Sequence, residues 1–174
     1  GNNTIIAHNA GFEQAVLNAY VARLDKEGFT IHTHSIGDYT THAVLDALEA
    51  ARATNGPKDN RHQIAHLQIV DPADFARFGT LGVIANMQPL WACHDTQLDE
   101  LVSQHLGEGR GQWLYPFGDM HRGGAPLAAG SDWPVTSASP WEGMHVAVTR
   151  ANFDERVLLP AQRLDLMTAL TAYT

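Results

Sequence analysis

Two spacings of hydrophobic residues run along this chain, one typical of helices and one typical of short strands. Apolar runs of four to eight residues bounded by Gly, Pro and Asp predict strands. These runs lie within residues 29–38, 61–69, 82–89 and 125–132. Apolar positions three and four residues apart predict helices. These cover residues 11–28, 41–53, 98–105, 141–150 and 163–173, with short helices expected after Asp71 and near Trp113.

The helical spacing also predicts which residues face the core. In the first helix these are Phe12, Val16, Ala19, Tyr20 and Leu24. In the second they are Val44, Ala47, Leu48 and Ala51.

Strand and helix alternate four times, which predicts an α/β fold built from parallel βαβ units with strands buried on both faces. Four such units form either half of a (β/α)8 TIM barrel or a small open sheet, and pattern alone does not choose between them. No linker or repeat divides the chain, so we expect one structural unit.

Composition narrows the class of partner. Eleven basic against nineteen acidic residues give a net charge of −8 without a basic cluster, which argues against nucleic acid and anionic membranes and favours a small molecule. Cys93 is the only cysteine, so no disulfide forms within the chain. No signal peptide or apolar run of membrane-spanning length is present, and we expect a soluble, cytoplasmic protein. The start at Gly1 and the stop inside a helical pattern suggest an excerpt of a longer protein.

Three side chains with metal-ligand chemistry lie near the ends of different predicted strands. They are His34, His66 and Asp132. The carboxyl ends of parallel strands gather at one edge of the sheet, and imidazole nitrogen with carboxylate oxygen suits a Zn²⁺-type cation. The alternative is that these residues only satisfy hydrogen bonds at the core or rim. His32 shares a strand face with His34 and could likewise be a metal ligand or a hydrogen-bonding group of the core. For His32 the hydrogen-bonding role is favoured.

Four segments resemble the successive motifs of the amidohydrolase superfamily, in the branch of amidohydrolase family 3 similar to N-substituted formamide deformylase. They read HSIGD at residues 34–38, RHQIAH at 61–66, GTLGVIANMQP at 79–89 and GSDWPV at 130–135. The resemblance extends from about Gly11 to the last residue.

The resemblance implies a metal-dependent (β/α)8 hydrolase acting on carbon–nitrogen bonds other than peptide bonds, of which residues 1–174 are strands five to eight, truncated at both ends. It implies one or two divalent ions, Zn²⁺ foremost, bound by His34, His66 and Asp132. Asp132 is then also the general base, and the substrate is an amide or formamide. Phosphotriesterase-like chemistry on the same fold is a weaker option.

Departures from the family pattern affect the expected activity. A first-strand His-x-His pair and a strand-four bridging ligand are not expected in this excerpt. Ala65 replaces a common glutamate, and its side chain should point away from the metal face. The isolated chain therefore supplies about half a metal site, and we expect it to bind metal weakly and to be inactive alone, with the enzyme activity belonging to the parent protein. The alternative function is a non-catalytic half-barrel that binds metal weakly or not at all and covers its strand edges by self-association or with the missing half.

Residues after the third and fourth strands are the candidates for substrate contacts, because loops at this end of a barrel carry specificity. They are Gln88, Trp91, His94, Asp95 and Trp133. The alternatives are a solvated loop for the first four and core packing for Trp133.

Overall fold

The computed structural model describes residues 13–107, 109–152 and 156–174. Within them, short strands alternate with helices and form one parallel sheet in the order β1-β2-β3-β4. The strands are β1 (His32–Ser35), β2 (Gln63–His66), β3 (Ile84–Met87) and β4 (Leu127–Ala129). The predicted parallel α/β organisation is confirmed. Each strand is shorter than predicted because the outer residues of each apolar run belong to connecting loops.

The helices follow the predicted order. They are α1 (Gln14–Lys26), α2 (Asp38–Asn55), α3 (Phe75–Leu81), α4 (Phe117–Arg122), α5 (Pro140–Thr149) and α6 (Leu166–Ala172). The segment after β3 differs from the predicted single helix, because it forms a π-helical turn, Gln97–Val102, followed by a 3-10 turn, Ser103–His105. Of its expected apolar positions only Leu98 is fully buried, and Leu101 is largely exposed. No helix in the described ranges has both the length and the hydropathy needed to cross a membrane.

Helix α2 packs as its pattern predicts. Its core face buries Val44, Ala47, Leu48 and Ala51. The helix ends at Gly56, whose φ of +79° suits glycine. Together with Ile31, Ile64 and Phe78, this face forms the layer of core between the helices and the sheet.

The predicted core face of α1 is mostly wrong, although its residue Leu24 is partly buried against the core. Val16 and Tyr20 are exposed, whereas Val21 and Asp25 are buried. Phe12, the first residue of that predicted face, lies outside the described residues. The helix is rotated from the predicted orientation because its buried edge carries a carboxylate with polar partners, which hydrophobic spacing does not reveal.

Asp25 ties α1 to the amino end of the sheet. Its carboxylate accepts hydrogen bonds from Asn55 Nδ2 (2.7 Å) and Asn60 Nδ2 (2.7 Å), and His62 Nε2 lies 3.1 Å away. His62 Nδ1 in turn accepts from the backbone N–H of Ile31 (3.1 Å). Burial alone would raise the pKa of Asp25, but the hydrogen bonds outweigh it and hold the pKa below its ordinary value.

The two faces of the sheet differ in character. Thr33 and Ser35 are buried on the helix side, whereas His32 and His34 on the other side are half-buried. Asn86 and Gln63 are likewise half-buried. The expectation that the strands are buried on both faces is therefore wrong for the second face, which is polar and partly open.

Arg150 lies wholly inside the protein at the end of α5. Its guanidinium donates to the backbone carbonyls of Leu158 (3.0 Å), Tyr115 (3.0 Å) and Leu114 (3.5 Å) and lies 5.6 Å from the Phe117 ring centre. Burial lowers its pKa to about 10. These bonds hold α5 against the segment that precedes α4.

Candidate active site

Two of the predicted ligands, His34 and His66, meet at the carboxyl end of the sheet. His66 Nε2 lies 2.7 Å from His34 Nδ1, and the two ring centres are 4.7 Å apart. His32 lies two residues before His34 on the same face of β1, and its ring centre is 5.6 Å from that of His34. The structure therefore groups three imidazoles on the open face.

An unusual backbone turn brings His66 to this face. His66 and Leu67 have φ of +74° and +52°, a region that non-glycine residues seldom occupy. The strand register aligns Ala65, not His66, with His34 on β1 and Asn86 on β3. Ala65 therefore lies in the row of His34, and the expectation that it points away from the metal face is wrong. The expected alternation assumed a strand that stayed regular to its last residue.

Gln88 and Trp91 hold the His66 ring in place. His66 Nδ1 donates to Gln88 Oε1 at 2.9 Å, because a carbonyl oxygen can only accept. The ring stacks on Trp91 with centres 5.0 Å apart and planes 8° from parallel. Gln88 is 5% exposed and its amide contacts the imidazole, while its predicted contact with substrate stays a prediction.

Burial favours the neutral form of both His66 and His32. Burial lowers the pKa of His66, and the facing His34 adds to this against the opposing effects of Gln88 and Asp132. Burial also lowers the pKa of His32, again with His34 adding to it and with Gln63 and Asp132 opposing. A neutral imidazole retains a lone pair on one nitrogen, as a metal ligand requires.

Asp132 lies close enough for its charge to act on His32 and His66. It follows β4 with φ of +54°, and its carbonyl accepts from Val135 N–H at 2.8 Å. Among the residues that the structure describes, no three His, Cys, Asp or Glu side chains converge as a metal-ligand set. The structure thus pairs His34 with His66, and the role of Asp132 as a third ligand stays a prediction.

The donor atoms themselves fit a borderline divalent cation in part. His34 Nδ1 and His66 Nε2 face each other. The second ring nitrogen of His66 is hydrogen-bonded to the amide oxygen of Gln88, and such a hydrogen bond is common at metal-binding histidines. The two facing nitrogens are 2.7 Å apart, within hydrogen-bond distance of each other, so the imidazoles would have to move apart to hold an ion between them.

A cavity of about 390 Å³ opens beside Trp91, the residue that stacks on His66, although neither His34 nor His66 lines it. Trp91 and Asp95, both predicted as substrate contacts, line it. Trp91 Nε1 is buried and has no hydrogen-bond partner in the described part of the chain. Asp95 also accepts from the backbone N–H of Leu98 at 2.6 Å.

The other two predicted substrate residues lie elsewhere. His94 Nδ1 is 2.7 Å from the carboxylate of Asp99, and Trp133 is 70% exposed; neither lines the cavity. The cavity instead includes residues that the sequence analysis missed, namely Ile36, Gln68, Tyr115, Val135 and Thr136. Four of these follow β1, β2 or β4 within a few residues, so including the loops after every strand would have found them. Nothing in the sequence pattern marked Tyr115.

Comparison with known proteins decides the family. The sequence model described as the amidohydrolase family matches residues 1–174. The chain belongs to the amidohydrolase family. The predicted membership of this superfamily is therefore confirmed, while the formamide deformylase-like branch stays a prediction.

The curated relatives that the chain matches are longer than the chain itself. It is 35% identical over 162 residues to Protein LONG AFTER FAR-RED 3 of Arabidopsis thaliana, covering 91% of this chain and 27% of that protein. It is 26% identical over 145 residues to the putative amidohydrolase YtcJ of Bacillus subtilis (strain 168), covering 83% and 26%. The chain thus spans about a quarter of the length of these relatives.

Two solved structures share the fold of this chain. An uncharacterized metal-dependent hydrolase from Pyrococcus horikoshii OT3 superposes with a TM-score of 0.75 at 29% identity, covering 94% of this chain and 32% of that one. A second, from Pyrococcus furiosus, gives 0.74 at 24% identity, covering 94% and 31%. The α/β fold with a parallel sheet is therefore similar to that of these metal-dependent hydrolase structures.

Proposed function

We propose that this chain is the carboxyl-side part, about strands five to eight, of a metal-dependent barrel hydrolase that cleaves carbon–nitrogen bonds other than peptide bonds, in the formamide deformylase-like branch. The observation that carries the proposal is the nitrogen pair of His34 and His66 at the ends of adjacent parallel strands. The family match over residues 1–174 supports the hydrolase part of the proposal.

His34 and His66 would hold the divalent ion, Zn²⁺ in first place, with Asp132 approaching from β4. A bound ion would supply Lewis acidity and lower the pKa of a water molecule towards neutrality. Asp132 would accept a proton from the attacking water and return it to the leaving nitrogen. Its position next to His32 and His66, whose pKa values its charge raises, supports this role.

The cavity beside Trp91 would take the organic part of the substrate. Its lining mixes polar and apolar side chains in similar measure, and in the described residues it carries one carboxylate, Asp95, and no Lys or Arg. Such a lining favours neutral or cationic amides over acidic ones. The unpaired Trp91 Nε1 offers a donor for a substrate oxygen.

Elemental analysis of the purified protein tests the proposal. Zinc that is present in the wild-type protein and absent from a His34→Ala/His66→Ala variant would support it. A His105→Ala/His121→Ala variant is the matched control, because both of those imidazoles are exposed. Hydrolysis of N-formyl and N-acyl amines, measured in the same preparations, should follow the zinc content. Wild-type protein that takes up no zinc, or a double variant that retains it, would overturn the proposal.

A further inference from the structure

Three side-chain amides form a hydrogen-bonded row on the open face of the sheet. Gln88 Nε2 donates to Asn86 Oδ1 at 3.1 Å, and Asn86 Nδ2 donates to Gln63 Oε1 at 2.9 Å. The remaining amide oxygen, Gln88 Oε1, accepts from His66 Nδ1 at 2.9 Å. We call Gln63, Asn86 and Gln88 the amide row. It links β2, β3 and the residue after β3.

The direction of each bond in the amide row follows from the one before it. Asn86 uses its NH₂ group towards Gln63, so its oxygen faces Gln88. Gln88 must then present its own NH₂ group to Asn86, which leaves its oxygen for His66. At the far end, Gln63 lies close enough to His32 to raise the pKa of that ring against the effect of burial. The amide row therefore extends from His66 towards His32.

An amide oxygen facing His66 determines which ring nitrogen carries the proton. Gln88 Oε1 can only accept, so Nδ1 of the neutral His66 ring carries hydrogen and Nε2 keeps its lone pair. Nε2 is the atom 2.7 Å from His34 Nδ1. His34 Nδ1 is then the donor in that contact, and only His34 has to change tautomer for both facing nitrogens to offer lone pairs.

We propose that the amide row is a positioning device that fixes His66 as the Nδ1–H tautomer, with its Nε2 lone pair directed towards His34. Gln88 is the positioning residue in contact with the ring, and Asn86 and Gln63 orient Gln88. The inference deepens the proposed function, on which it rests for the ion that Nε2 would bind. The tautomer itself is a property of the metal-free protein.

Long-range ¹H–¹⁵N correlation spectra of ¹⁵N-histidine-labelled protein test the proposal, because they distinguish the two neutral tautomers. The His66 signals are identified by their loss in His66→Ala. Metal-free wild-type protein should show His66 as Nδ1–H. Gln88→Leu, which removes the acceptor, should convert much of His66 to Nε2–H, whereas Gln88→Glu keeps an acceptor oxygen and should preserve Nδ1–H.

Two further variants separate positioning from stability. Gln162 is a matched control, because it is 6% exposed and its amide makes two hydrogen bonds with Asp119. Gln162→Leu should leave the His66 spectrum unchanged. Asn86→Ala, at a half-buried site, should shift His66 partly towards Nε2–H without removing Gln88, and it keeps the test available if Gln88→Leu does not fold.

Zinc affinity provides a second readout. We expect Gln88→Leu to bind zinc about 10- to 100-fold more weakly and Gln88→Glu to stay near wild type. A wild-type His66 found as Nε2–H, or a tautomer unchanged in both Gln88→Leu and Asn86→Ala, would overturn the inference. Absence of zinc binding by a wild-type protein whose tautomer responds as expected would instead overturn the proposed function and leave the positioning role standing.

Discussion

Replacing Asp25 should destabilise the fold far from the candidate active site. In Asp25→Ala, the side chains of Asn55, Asn60 and His62 lose a carboxylate that is 5% exposed. Hydrogen bonds to a charged group contribute about 1.5–3 kcal/mol each, and those sharing one acceptor group are not additive. We expect a loss of about 3–5 kcal/mol at pH 7, a large part of the ~5–15 kcal/mol that stabilises a domain.

The effect of Asp25→Ala should depend on pH in a defined direction. The pKa of Asp25 is lowered in the folded protein, so its stabilising contribution is complete above the unfolded pKa of about 3.9 and is lost as pH falls through the lower folded value. The difference between wild type and variant should therefore be largest near pH 7 and shrink below about pH 4.

Urea denaturation followed by circular dichroism, from pH 7 to pH 3, measures this difference. Asp59→Asn is the control, because Asp59 is an exposed carboxylate directly before Asn60 in the sequence. This substitution should change the free energy of unfolding by less than about 0.5 kcal/mol. A loss below about 1 kcal/mol in Asp25→Ala, or a difference that grows as the pH falls, would refute the reasoning.

Three further substitutions test separate features. Gly79→Ala would place a Cβ 2.9 Å from the carbonyl oxygen of Gly124, so unfolding by urea should show a loss of about 1–3 kcal/mol; Gly111→Ala, with nothing within 4 Å, is the control, and equal effects would contradict the steric argument. Arg150→Lys replaces a guanidinium that donates to three backbone carbonyls and should lower the free energy of unfolding by about 2–4 kcal/mol in the same assay. A loss under about 1 kcal/mol would show that a single ammonium group suffices. Trp91→Phe keeps an aromatic ring beside His66 but removes the unpaired Nε1–H; KM for a hydrolysed amide should rise about 3- to 10-fold with kcat nearly constant, and an unchanged KM would exclude Trp91 as a donor to substrate.

Regular elements were predictable because hydrophobic spacing records them directly. Helix α2 buries the residues its pattern selects, and the parallel sheet follows from the alternation of strands and helices. Helix α1 was predicted in place but with the wrong face, because Asp25 is buried by hydrogen bonds instead of by hydrophobicity.

The candidate site was predictable in its ligand pair but not in its supporting contacts. His34 and His66 follow from the rule that parallel strands present their carboxyl ends together. The turn at His66 has no signal in the sequence, since no glycine marks its positive φ. Gln88 was assigned to substrate because it follows a strand, whereas the structure shows its amide against an imidazole.

The left-handed backbone at His66 limits how the metal preference of the proposed site could be redesigned. Apart from glycine, Asp and Asn tolerate a φ near +74° best. His66→Asp would therefore introduce a harder oxygen ligand, suited to Mn²⁺ or Mg²⁺, with little added backbone strain. A β-branched residue at the same position would force the turn to rearrange. The range of ligands open to evolution or design at position 66 is thus set by chain conformation as much as by coordination chemistry.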